Sequence, residues 1–130
     1  NPFIVFSGSI ATHGEVSNAA NRNSLQSVLT KHGIRYKIVK GSYKGITEDA
    51  FVVSVVHEKL VQELCERFKQ ESYLKVSRYR VAELVYLHKV SEFHTNCTPE
   101  ILGSFQSASE SEALSHDSYT LDNGQYYIVK

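Results

Sequence analysis

The segment Gly41-Ser42-Tyr43-Lys44-Gly45-Ile46-Thr47-Glu48-Asp49-Ala50-Phe51 gathers the residue types in this chain best suited to chemistry. It is a polar, glycine-bracketed turn between two apolar runs. A hairpin tip needs glycine and turn formers, but it does not need a tyrosine followed by two adjacent acids. Acids at the mouth of a sheet suit a cationic ligand. A tyrosine beside them offers a ring face to a cation and a hydroxyl for positioning. Taken alone, Glu48 and Asp49 also fit solvated turn acids, and Tyr43 a strand-end aromatic. No histidine lies in Tyr43 to Phe51 or in Gly103 to Gln106, and no Ser-His or Cys-His pair has motif context. The histidines at 13, 32, 57, 88, 94 and 116 are scattered without metal-ligand spacing, so neither metal nor cofactor is expected.

The elements around this turn follow from periodicity. Phe3 to Ser9 predicts a first strand. Glu15 to Lys31 predicts a helix with Ala19, Ala20, Leu25, Val28 and Leu29 on its apolar face and Gly33 as its stop. Tyr36 to Tyr43 and Asp49 to Val56 predict a hairpin, and Glu58 to Gln70 a second helix on Leu60, Val61, Leu64, Cys65 and Phe68. Tyr73 to Ser77 and Val81 to His88 are the next strands. Asp122-Asn123-Gly124 signals a hairpin between Ser118 to Leu121 and Gln125 to Val129. The serine- and acid-rich stretch Ser104 to Ser118 is expected to be an exposed loop. The order β-α-β-β-α-β predicts a ferredoxin-like α+β sandwich with extra C-terminal strands. Such a sheet carries helices on one face only. Val53, Val55, Val85, Tyr86 and Leu87 make the strands apolar on both faces, so the open face is expected to be covered by self-association or by the C-terminal tail.

Composition narrows the class. The 130 residues fit a single domain, and 14 basic residues balance 14 acidic ones. That balance offers no electrostatic footprint for nucleic acid. Lys37, Lys40 and Lys44 cluster in sequence, but a strand points them to differing faces. No apolar run reaches membrane-spanning length and the start Asn1-Pro2-Phe3 lacks a signal-peptide layout, so a reducing cytoplasm is the expected compartment. Cys65 and Cys97 lack C-x-x-C spacing, and Cys65 reads as a buried free thiol.

Several motifs together resemble the phage S-adenosylmethionine hydrolases, now better described as S-adenosylmethionine lyases. They are Gly41-Ser42-Tyr43-Lys44 with Thr47-Glu48-Asp49, Leu102-Gly103-Ser104-Phe105-Gln106, and Tyr119-Thr120-Leu121-Asp122-x-Gly124; Asn18 to Arg22 and Glu83-Leu84-Val85-Tyr86 fall in the expected order. Two departures stand out: the Tyr43–Glu48 loop is short, and Ser107 stands where an acid can occur. The resemblance implies a PII-like homotrimer with sites between subunits and S-adenosylmethionine as the substrate. It implies catalytic roles for Glu48 and Tyr43, and substrate contacts from Glu83, Gln106, Ser104, Phe105 and Asp49. Whether Glu48 or Asp49 is the key acid stays open at this point. Two routes fit: attack by the substrate's own carboxylate, giving homoserine lactone and methylthioadenosine, or hydrolysis through an activated water. A non-catalytic PII-like nucleotide-binding module and a host-protein inhibitor are the alternatives.

Overall fold

In a computed structural model, residues 1–7, 15–43, 46–68, 70, 72–86 and 98–130 are described; for Glu15, Tyr43, Ile46 and Thr98 this covers the backbone alone. The expected Phe3 to Ser9 strand is β1 (Phe3–Phe6), its last residues lying outside the described part. Then come α1 (Glu15–Lys31), β2 (Tyr36–Tyr43), β3 (Ile46–Ser54), a 3-10 turn at Val55–His57 and α2 (Glu58–Arg67). They are followed by β4 (Ser72–Val76), β5 (Val81–Tyr86), β6 (Thr98–Ala108), α3 (Glu110–Leu114), β7 (Ser118–Asp122) and β8 (Gln125–Val129).

Local chemistry sets the boundaries. Gly33, at φ +67°, ends α1 by letting the Ile34 N–H reach the Leu29 carbonyl and its own N–H reach Thr30, both at 3.0 Å. Asn123 (φ +49°) and Gly124 (φ +83°) form the two-residue turn that pairs Asp122 with Gln125. The expected loop from Ser104 to Ser118 is instead the end of β6 followed by α3. Ser109 caps that helix, its Oγ accepting the Glu112 N–H at 3.2 Å. The Ser-x-x-Glu spacing was the overlooked signal.

The sheet closes. All pairings are antiparallel, and the strands form a barrel in the order β1-β3-β2-β7-β8-β6-β5-β4, with β4 returning to β1. This corrects the expected open ferredoxin-like sandwich. The four strands of the first half do lie side by side as β4-β1-β3-β2. However, β5, β6, β8 and β7 carry the sheet onward from β4 until it meets β2. The eleven-residue β6 is the span that makes closure possible.

Closure also answers why the strands are apolar on both faces. One face packs against helices: Ile4, Phe51, Val53, Tyr73 and Val85 share a core with Leu25, Leu29, Val61, Leu64 and Cys65. The other face lines the barrel's own interior, where Phe3, Leu74, Val76, Ala82, Phe105, Tyr127 and Val129 pack together. The second face is therefore covered within the chain, and self-association is not needed to hide it.

The seam between β6 and β8 explains one of the family-like motifs. Ser104 N–H donates to the Lys130 carbonyl at 3.0 Å and Lys130 N–H to the Ser104 carbonyl at 2.9 Å. Beside them Gly103 sits at φ +145°, and a Cβ there would stand 2.7 Å from the Lys130 oxygen. The register shifts just before this point, between the Ala82–Gly103 and Glu83–Ile101 pairs. Glycine is thus required by a bulge and by close backbone approach.

Candidate functional site

Register decides which side chains enter the barrel. Val52 lines the interior, so two residues along β3 alternation sends Ala50 and then Glu48 to the same face. Glu48 pairs with Gly41, and Gly41 pairs on its other side with Thr120 of β7. Among the described residues a Cβ at Gly41 would meet only the Glu48 carbonyl, at 3.9 Å, so the missing side chain leaves room between Glu48 and Thr120. On the facing wall Leu84 pairs with Glu100 and Tyr86 with Thr98. Tyr86 and Glu100 therefore share the inward face, and the Tyr86 hydroxyl donates to Glu100 Oε2 at 2.8 Å. β2 and β5 end, and β3, β4, β6 and β7 begin, around this rim. Two half-buried carboxylates, Glu48 and Glu100, thus stand on the interior register of one mouth.

The opposite mouth has another character. A cavity of about 310 Å³ opens there between the start of β2, the β4–β5 turn and the β7–β8 turn. Phe105 and Tyr127 form part of its wall, stacked at 5.1 Å with ring planes 8° apart, and Phe3 meets Phe105 edge-on at 5.5 Å. Lys37, ion-paired with Asp122, and Arg80 complete the charged part of the lining.

The residues singled out in the sequence divide between faces. Glu48 lies on the interior register at the acidic mouth. Phe105 also faces inward, but it is a buried wall residue of the barrel near the other mouth. Tyr43 ends β2, its backbone pairing with Ile46 and Ser118; its side chain lies outside the described part, as do Lys44 and Gly45. Asp49 points outward and is ion-paired with Lys40, directly across the ladder. Glu83 is outward too, opposite Lys75. That lysine reaches Glu58 Oε1 at 2.9 Å, and the Tyr73 hydroxyl donates to Glu58 Oε2 at 2.5 Å. Ser104 and Gln106 are exposed on the outer wall. The interior register thus puts Glu48, Glu100 and Tyr86 on the inward face at one mouth, and Asp49, Glu83, Ser104 and Gln106 on the outward face.

The model of the S-adenosylmethionine lyase family matches residues 4–130. The chain belongs to that family. It is accordingly an enzyme, an S-adenosylmethionine lyase, whose small-molecule substrate is S-adenosylmethionine. A search of curated proteins finds no significant match.

The sequence marks Tyr86 of the lyase only as a strand residue and gives Glu100 no role. Glu100 directly follows Thr98-Pro99, a pair that reads as loop. Only the bulge at Gly103 turns its side chain inward, and a bulge is not visible in the alternation. Cys65 lies on the buried face of α2, and burial pushes its thiol up to about 12, far from a reactive thiolate. Cys97 lies outside the described residues, and among the described residues no group of three or more His, Cys, Asp or Glu could hold a metal. No helix among them is long and apolar enough to cross a membrane.

Proposed function

We propose that the lyase converts S-adenosylmethionine to methylthioadenosine and homoserine lactone at the acidic mouth. The observation that supports this is the pair of inward-register carboxylates, Glu48 and Glu100, in a chain whose family substrate is a cation. The substrate's carboxylate oxygen attacks its own γ-carbon, forming the lactone C–O bond. The carbon–sulfur bond breaks, and its electron pair neutralises the sulfonium to a thioether. No external nucleophile or base is consumed. Folding the methionine arm into a near-attack geometry gains an effective molarity on the order of 10⁵–10⁸ M, roughly 7–11 kcal/mol.

In this reading Glu48 complements the substrate's positive end and Tyr43 positions it. Glu100, held by the Tyr86 hydroxyl, supplies a second fixed negative charge. Asp49, Glu83, Ser104 and Gln106 face outward, so they would reach substrate only from a neighbouring subunit. The homotrimer implied by the resemblance would supply that neighbour. Exposed apolar side chains on the outer wall at Val81, Ile101 and Leu102 are consistent with such packing. Light scattering at micromolar concentration is expected to give about three monomer masses. The same resemblance suggests phage counter-defence, with depletion of S-adenosylmethionine starving host methyltransferases. Expression in a methylating host should then leave its DNA undermethylated.

Hydrolysis is the second reading, because a rim carboxylate could activate water as well as balance charge. Reaction in ¹⁸O-water with an early quench separates the two. Water attack at the γ-carbon labels the homoserine hydroxyl from the start. Lactone formation leaves the first product unlabelled, and later opening at the acyl carbon labels the carboxylate instead.

A further inference from the structure

The cavity at the basic mouth belongs to no step of the proposed reaction, yet it has the makings of a site. Its wall is aromatic where Phe105 stacks on Tyr127, and Val39 and Val52 add apolar lining. Lys37 is neutralised by Asp122. Arg80 is not: it lines the same cavity, is exposed, and makes no ion pair among the described residues.

The backbone of Arg80 is unusual as well. It sits at φ +67°, the left-handed region that favours glycine, in the turn between β4 and β5. Its N–H donates to the Ser77 carbonyl at 3.0 Å, and its carbonyl accepts the Phe105 N–H at 2.7 Å. The turn is thereby tied to the aromatic wall, and the guanidinium is anchored beside it. Glycine would hold this conformation at lower cost, so keeping an arginine here suggests a use for its side chain.

We propose that this cavity, which reaches Thr120 on the interior wall but opens at the end opposite the acidic mouth, is a second ligand site for a small organic monoanion. Its ligand carries one carboxylate or sulfonate on a flat apolar body. The ring system lies against Phe105 and Tyr127, while the acid group meets the Arg80 guanidinium, which presents its donors in a planar fork. Cationic S-adenosylmethionine has the wrong charge for this mouth. The volume, about 310 Å³, is at the small end of the range typical of ligand pockets and accommodates two fused rings.

The test uses the full chain and 2-naphthoate in titration calorimetry, with the isosteric neutral 2-naphthamide as control. One-to-one binding of naphthoate is expected, at least about tenfold tighter than naphthamide, a ratio equivalent to roughly 1.4 kcal/mol. Arg80→Gly keeps the left-handed turn and should lower naphthoate affinity about tenfold while leaving naphthamide binding and S-adenosylmethionine turnover unchanged. Arg80→Lys retains the charge and should keep part of the affinity. Equal binding of acid and amide would overturn the proposal, and so would unchanged affinity in a folded Arg80→Gly protein. Competition between naphthoate and S-adenosylmethionine would also overturn it, by making the cavity part of the substrate site. None of these outcomes depends on whether the reaction yields lactone or homoserine.

Discussion

The two mouths of the barrel are built from the same strands and carry opposite chemistry. β2 delivers Lys37 to one end of the interior and Gly41 towards the other, and β3 delivers Val52 and then Glu48. At the first end lie Lys37, Arg80 and Asp122; at the second, Glu48 and Glu100. Among the described residues, a chain with balanced charge overall is thus polarised along its interior. Net charge reports on long-range partners such as nucleic acid, whereas a site's charge is set by which residues register turns inward.

Both mouths depend on closure, so opening the seam is expected to have the largest effect. Gly103→Ala forces a left-handed residue into strain and drives a Cβ to within 2.7 Å of the Lys130 carbonyl. Strain and overpacking each cost about 1–3 kcal/mol, giving a loss of roughly 2–6 kcal/mol in urea unfolding. The expected outcome is loss of activity together with stability. A variant as stable as the parent would mean that β6 and β8 are not locked by this contact.

Charge at the acidic mouth comes next. Glu48→Gln keeps the shape and removes a charge-assisted contact worth about 1.5–3 kcal/mol, so kcat/KM should fall about 10- to 150-fold with little change in melting temperature. Glu100→Gln should cost less, because the Tyr86 hydroxyl still has an amide oxygen to donate to. A double-mutant cycle with Tyr86→Phe tests this. Coupling of about 0.5–1.5 kcal/mol is expected if the hydroxyl orients the carboxylate, and independent effects would separate the tyrosine from the site.

How much of this was legible beforehand depends on the range of the interactions involved. α1, β2, β8 and the Asp122–Gln125 turn follow from local periodicity, capping and turn chemistry with their expected bounds, while α2 ends at Arg67, three residues short of the expected Gln70. Closure was not legible, because it rests on β6, whose Ser104, Gln106 and Ser107 are polar and exposed and carry no apolar alternation. The same stretch carries Leu102-Gly103-Ser104-Phe105-Gln106, from which the resemblance implies substrate contacts; in the fold it forms the bulge, the seam and a wall of the barrel, with Ser104 and Gln106 on the outer face. Family resemblance found the motif, but only register separates residues that close a barrel from those that face its contents. Lys37 and Lys40 show the converse. They were expected on differing faces of a strand, and one lines the cavity while the other pairs with Asp49 outside.

The smallest expected effect is the sharpest control on the comparison. Glu48 and Asp49 are adjacent carboxylates, both half-buried, and composition cannot rank them. Strand geometry can, because neighbours on a strand point to opposite faces. Asp49 and Lys40 form a partly exposed pair across the outer ladder, of a kind worth about 0–1 kcal/mol to stability. Within one subunit Asp49→Asn should therefore shift the melting temperature slightly and change kcat/KM less than about threefold, and Lys40→Met should do the same. If Asp49→Asn instead lost as much activity as Glu48→Gln while the fold held, the outer wall would have to contribute to a site. The inside-versus-outside division would then hold for the single chain but not for the assembled enzyme. Mixing Asp49→Asn subunits with Glu48→Gln subunits resolves that case. Recovery of activity in the mixture would mean that one subunit's outer face completes another's acidic mouth, and no recovery would place both acids in the same subunit's site.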